Sequence, residues 1–402
     1  MSDTFEYPRI YLAIDNCFAS KRWTEPAEWL DIIKDLGLRF VEASADNECD
    51  PLYGDADYLK SWQKQIKKQE KISDMKVVNL YSGHGTYATL GLAHTDVRGR
   101  DRILNQWLKE MVKIASELNA GLGFFCHAFN QKTLQDSAAY YKAKEDLYDR
   151  LAQLSSFASE KNIRTIGVEQ MYTPHQIPWT IEGTTDLLKE VFAKSGHPFY
   201  ITIDTGHQSG QRKFLQPDYD KVRGYLGACR EKGFVEQMWL GSEKAYNIFN
   251  AALPLSSHDE DAAIKNIISE MNAHPYFFAK YNDGDPYIWL EELACWSPII
   301  HLQQTNGASS SHWAFTEKHN KQGIITGEKV LEAIFRSYSR EKSTLLPQSV
   351  KEIYLTLEIF SATADINIDI ISRLKKSVEY WRKFIPEDGE KLNEIIKRIQ
   401  MS

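Results

Sequence analysis

Eight short runs of apolar, β-branched and aromatic residues punctuate the chain. They are Arg9–Asp15, Leu38–Ala43, Lys76–Tyr81, Leu122–His127, Arg164–Glu169, Phe199–Asp204, Pro298–Leu302 and Glu352–Glu358. A strand with one wet face alternates apolar and polar residues. Runs this continuous predict strands covered on both faces, as in a parallel sheet. Amphipathic helical stretches lie between them, at Glu25–Leu36, Asp57–Lys71, Arg98–Leu118, Leu134–Lys161, Thr185–Lys194 and Asp365–Phe384. The first begins with Thr24 as N-cap, with Pro26 and Glu28 in its first turn, and Gly37 is placed to stop it.

Strand–helix alternation yields either a closed barrel or an open doubly wound sheet. Eight strands favour closure, and no glycine-rich phosphate loop supports the nucleotide-binding alternative. The predicted fold is therefore α/β, a single (β/α)8 TIM barrel over residues 1–402. One interval is abnormal. Roughly ninety residues separate the sixth and seventh strands, against ~30 for a plain βαβ unit. A decorated insertion at about 210–295 accounts for it.

Composition narrows the function classes. Net charge is −7 and no Lys/Arg-rich block stands out, so no nucleic-acid partner is expected. Five scattered cysteines without a C-x-x-C pair point to a reducing compartment. No signal peptide or membrane-length apolar run is evident, so a cytoplasmic protein without membrane contacts is expected.

In a parallel barrel, chemistry belongs to the C-terminal ends of the strands and the loops beyond them. Glu169, Asp204 and Glu358 end the fifth, sixth and eighth runs, and His301 lies in the seventh. An unpaired carboxylate among buried apolar residues is costly. Three of them and an imidazole on four consecutive strands converge on one place and call for a cation. Carboxylate oxygens plus one imidazole suit a single divalent metal ion, Mn²⁺ first, with Mg²⁺, Co²⁺ and Zn²⁺ as alternatives.

Around these residues the chain resembles the xylose isomerase-like barrels, the sugar isomerase/epimerase branch that includes tagatose 3-epimerase. Asp204-Thr205-Gly206-His207 matches its D-T-x-H pattern. Trp289-Leu290 before Ile299-Ile300-His301, and the tract His301–Gly307, match its seventh-strand entry and exit. The resemblance implies that Glu169, Asp204, His301 and Glu358 ligate the metal, that Glu169 and Glu358 are also the catalytic acid/base pair, and that His207 contacts substrate. Where the family often has an acid or amide and then a downstream Arg, Gln303, Gln304 and Asn306 fill the stretch and no Arg follows. Gln303 is the substrate-binding candidate there.

Further pocket candidates are His84 in Ser82-Gly83-His84-Gly85, His127 ending the fourth run, Glu42 after the second, and Trp313 with its neighbour His312. The chemistry these parts suit is removal of a proton next to a carbonyl, with a metal stabilising the enediolate. The expected function is a metal-dependent sugar or sugar-phosphate isomerase or epimerase. A dehydratase or decarboxylase of a polyol-derived keto compound would use the same parts. A non-catalytic sugar-binding barrel and an abasic-site endonuclease rank lower. The expected partner is a small sugar or sugar phosphate. Barrels of this type often form homo-oligomers, but no segment specifies an interface.

Overall fold

A computed structural model describes residues 5–45, 47–83, 89–235, 238–255 and 257–401. The candidate His84 lies outside the described residues.

Eight strands pair in parallel and in chain order: β1 (Arg9–Asp15), β2 (Phe40–Ser44), β3 (Lys76–Ser82), β4 (Gly121–Phe124), β5 (Ile166–Glu169), β6 (Tyr200–Asp204), β7 (Ile299–Leu302) and β8 (Glu352–Leu357). β1 pairs with both β8 and β2, which closes the barrel. Barrel strands tilt and stagger, so β2 meets β1 only from Ala13 onward. A short ninth strand, β9 (Glu390–Lys391), runs antiparallel beside Arg9 and Ile10, the part of β1 that the stagger leaves uncovered.

The two ends of the barrel differ in chemistry. At the N-terminal end Tyr11 stacks on Tyr354 at 4.8 Å between ring centroids. Phe40 packs edge-on against both, at 5.0 and 5.5 Å. With Ala13, Val78 and Ile299 these rings form their own apolar cluster, which plugs that end. The acidic residues Asp15, Glu42, Glu169, Asp204 and Glu358 gather at the opposite ends of the strands. A ligand therefore has one end to enter by.

The surrounding helices follow from their apolar stripes. Pro26–Asp35 buries Trp29, Leu30 and Ile33. Its capping box is made by Glu25 and Glu28, one residue later than the Thr24 cap expected from sequence. The helical stretch predicted from Arg98 holds a π-helical turn at Ile103–Leu108. The chain also continues beyond the predicted last helix, into β9 and a helix at Leu392–Met401. A helix between β7 and β8, Gly327–Tyr338, buries Val330, Leu331, Ile334 and Tyr338.

The long β6–β7 interval is helical, with segments at Tyr219–Lys232, Glu243–Ala252, Ser257–Ala273 and Pro286–Leu293. One continuous apolar cluster runs from the barrel helices into this insertion through Val222, Leu226, Phe249, Ile264 and Trp289. No helix among the described residues is long and apolar enough to cross a membrane.

Gly83, the exit from β3, has φ +136°, and a Cβ there would sit 1.9 Å from the carbonyl oxygen of Phe125. Backbone on both sides prevents easy relief. Gly83→Ala is expected to destabilise the fold by about 3 kcal/mol, read as a lowered melting temperature. An unchanged melting temperature would contradict this packing.

Candidate metal centre and active site

Four strands deliver the four predicted ligands. Glu169 ends β5, Asp204 ends β6, His301 lies within β7 and Glu358 follows β8 directly. The register sets Asp204 beside His301, and the Glu358 N–H donates to the Leu302 carbonyl at 3.1 Å. Each of the four offers a ligand atom, and these atoms lie within 4.8 Å of one another. All four side chains are buried.

His301 organises the cluster. Its Nε2 is 2.7 Å from Glu42 Oε2, while its Nδ1 is 3.0 Å from Glu169 Oε1 and 3.5 Å from Glu358 Oε2. With Nε2–H given to Glu42, the Nδ1 facing the other carboxylates donates to Glu169 when the ring is protonated and would offer its lone pair to a metal. A carboxylate behind a histidine is the arrangement that orients a metal ligand and raises its basicity. Burial disfavours the charged imidazole, but Glu358, Glu42 and Glu169 outweigh it and hold the His301 pKa well above the usual range.

The carboxylates divide by environment. Burial pushes Glu42 up despite the His301 partner, and Asp15 adds to the push. Burial opposes ionisation of Glu169 too, but His301 outweighs it and Glu169 is held below its ordinary value. Asp204 is likewise held down: burial acts against it, and His207 and His312 lead the charges that reverse the balance. Asp204 Oδ1 also accepts the backbone N–H groups of Gly206 and His207, at 2.6 and 3.1 Å. Three carboxylates facing one imidazole nitrogen could hold one divalent cation, and like charges at this spacing favour one.

A cavity of about 320 Å³ opens on this cluster. Its polar wall is Tyr81, Glu169, His207, Ser310, His312 and Glu358, and Phe125, Met171, Tyr172 and Phe360 supply apolar cover. The Tyr81 hydroxyl donates to Glu169 Oε2. Burial and the Glu169 charge keep that phenol far above its ordinary pKa, so it remains a donor. His207 Nδ1 is 2.7 Å from the Gln170 carbonyl. A carbonyl only accepts, so Nδ1 carries a proton there, and Nε2 is the nitrogen left for other partners.

Four candidates from sequence sit elsewhere. Glu42 is wholly buried behind His301, with Asn79 Nδ2 donating to its other oxygen at 2.6 Å, and does not line the cavity. The strand period sent it inward but could not tell depth. Gln303 is also fully buried, and its amide nitrogen donates to both Asp204 oxygens at 2.8 and 2.9 Å. Its Oε1 receives the His312 N–H at 2.6 Å, so the amide braces Asp204. Gly206 gives it room, since a Cβ there would lie 2.3 Å from the Gln303 amide carbon. His127 lies past the end of β4, bonds the Ile177 carbonyl, and is pushed down to about 4 by burial. Trp313 pairs its backbone with Gln304 and stacks on His319 at 4.9 Å.

The wall instead uses residues that sequence reasoning undervalued. His312, the neighbour of Trp313, has φ +45° and places Nδ1 3.3 Å from Glu358 Oε2. Its ring packs edge-on against Phe360 at 4.7 Å. Tyr81 was legible in principle, being one residue from the end of an inward-facing strand.

Glu42→Gln keeps the shape behind His301 but weakens the carboxylate–imidazole pair. Affinity for Mn²⁺ is expected to fall about 10–100-fold, measured by calorimetric titration. Unchanged affinity would remove Glu42 from the site.

Known proteins agree with this architecture. The family model described as xylose isomerase-like TIM barrel matches residues 30–236, just over half of the chain. D-erythrulose 1-phosphate 3-epimerase of Brucella abortus (strain 2308) is 27% identical over 114 residues, 28% of this chain. The match spans about a third of that relative, 34% of its length. A protein of Rhodospirillum rubrum ATCC 11170, provisionally named a xylose isomerase, superposes with a TM-score of 0.65 at 16% identity, over 93% of this chain and 99% of that one. An L-ribulose 3-epimerase superposes with a TM-score of 0.54 at 12% identity, over 98% and 97% of the two chains. At such identities these structures speak for the fold. With the closed barrel and the family match over half its length, the chain belongs to the xylose isomerase-like TIM barrel family.

Proposed function

We propose that this protein is a divalent-metal-dependent ketose epimerase or isomerase that works by proton transfer next to a carbonyl. The observation that carries the reading is that Glu169 and Glu358, from strands β5 and β8, both face the same small cavity and both belong to the four-residue ligand cluster. The cation would be held by Glu169, Asp204, His301 and Glu358, with Mn²⁺ the first choice. When bound, it supplies Lewis-acid polarisation of the substrate's carbonyl and neighbouring oxygen.

The chain's own residues account for the proton. A carboxylate within hydrogen-bond reach of the carbon takes it, and the opposite carboxyl group returns one on the other face, which inverts the centre. Return by the same group at the adjacent carbon gives isomerisation. The Tyr81 hydroxyl and His301 fix both oxygens of Glu169, at Oε2 and Oε1. His207 Nε2 is available to a substrate hydroxyl. Phe125, Met171 and Phe360 keep water from the exposed carbanion.

The test is proton exchange in D2O. Protein loaded with Mn²⁺ is expected to introduce deuterium next to the carbonyl of a ketose, followed by NMR, and chelation is expected to stop it. A metal-loaded protein that exchanges nothing across four- to six-carbon ketoses would end this reading.

A further inference from the structure

We infer that the site takes an unphosphorylated ketose, and that a phosphate group on the sugar is selected against. The inference rests on the ketose reading above and goes beyond it, because that reading leaves the charge of the substrate open.

The first observation is the loops that follow the eight barrel strands, since these build the mouth of the site. Residues 45–55 after β2, 83–96 after β3 and 125–130 after β4 contain no Lys or Arg. Neither do 170–180 after β5, 303–316 after β7 and 358–366 after β8. Apart from His207 of β6's loop and Tyr81 and Glu169 of the strands themselves, the described cavity wall comes from five of these cation-free loops. Recognition of a phosphate ester ordinarily draws on Arg or Lys, for charge and for bidentate geometry.

The second observation is what the remaining two loops do with their cations. Arg22, after β1, donates to the carbonyls of Ala362, Thr363 and Asp365 and to the Ser361 hydroxyl. Arg212, after β6, donates to the carbonyls of Gly284 and Gly307. Both guanidinium groups clamp neighbouring loops. Lys21 and Lys213 beside them are exposed. None of the four lines the cavity.

The third observation is the sign of the field. Three carboxylates against one divalent cation would leave the centre with net charge −1, and Glu42 and Asp15 cluster with His301 on its other side. An oxyanion carrying close to two negative charges would enter a small, low-dielectric cavity already of its own sign. The neutral hydroxyls of a free sugar meet partners they can use: His207 Nε2, the Ser310 hydroxyl and the His312 ring, beside the faces of Phe125 and Phe360. A cavity of about 320 Å³ suits one monosaccharide. This separates the chain from its relative named for erythrulose 1-phosphate, which it matches over a third of that protein's length.

The experiment uses full-length protein loaded with Mn²⁺ and matched pairs of probes: erythrulose, ribulose and fructose, each free and phosphorylated at a terminal carbon. Two readouts are taken, deuterium exchange by NMR and equilibrium binding by calorimetry, with inorganic phosphate as a separate titrant. Free ketoses are expected to bind and exchange, with kcat/KM about 100-fold above their phosphates, and inorganic phosphate is expected not to compete. Faster exchange or tighter binding of a phosphorylated probe overturns the inference while leaving the proton-transfer reading intact. Saturable binding of a free ketose, tighter than that of its phosphate and without exchange, removes the proton-transfer reading and upholds the selection against phosphate. Binding of neither form overturns both.

Discussion

Glu358→Gln is expected to lower deuterium exchange into the ketose by about 10³-fold in a protein that remains folded. The substitution is nearly isosteric, so the cavity and the apolar cover by Phe360 persist. The amide oxygen can still face a cation, but it cannot take a proton from carbon at neutral pH. Glu358 is buried like Glu169, with two histidine rings beside it. It sits 3.5 Å from His301 Nδ1 and 3.3 Å from His312 Nδ1, while Glu169 is fixed by Tyr81 and His301 together. Metal content is measured on the same sample, because a lost charge also weakens the proposed cation site. If excess Mn²⁺ restores exchange to within tenfold of the parent, Glu358 is a ligand without an acid/base role.

The second large effect is expected from His301→Ala. The imidazole stands between Glu42, Glu169 and Glu358, within 3.5 Å of each, and all of these are buried. Removing it leaves Glu42 and Glu169 without the imidazole that both meet in the described structure. Breaking a buried pair in this way costs about 3–5 kcal/mol, so a melting transition several degrees lower is expected for chelator-treated protein. Loss of the nitrogen ligand, and of the Glu42 support that acts through it, is expected to lower Mn²⁺ affinity more than Glu42→Gln does. Parent-like affinity in the His301 variant would place the cation elsewhere, for example at Asp204, His207 and His312, which also come within 4.8 Å of one another.

Most of this arrangement can be read in the sequence, for a physical reason. A barrel strand buried on both faces has to be continuously apolar, so a terminal Glu, Asp or His stands out. That made β1 legible to its exact ends, and it put Glu169, Asp204 and Glu358 at equivalent positions. Depth was not legible. The period of two says that Glu42 points into the barrel, but not that it lies under His301 with Asn79 instead of facing the cavity.

Loop positions were legible as neighbourhoods and not as residues. His312 and Trp313 are adjacent, and only the φ of +45° at His312 decides which of them reaches the site. Gln303 resembled a substrate contact because it lies two residues after His301. The absence of a side chain at Gly206 lets its amide fold back onto Asp204. The strand boundary at β4 was misplaced because Phe125-Cys126-His127 is as apolar as the strand, although the ladder ends at Phe124. The last helix and β9 follow a proline-containing break at Ile385-Pro386, where a pattern search stops.

The most direct measurement is anomalous X-ray diffraction from crystals of the protein grown with Mn²⁺. The account predicts one strong anomalous peak bonded by Glu169, Asp204, His301 Nδ1 and Glu358, with Glu42 still hydrogen-bonded to His301 Nε2. A peak that omits His301 and Glu169, or no peak at full Mn²⁺ saturation, would contradict it.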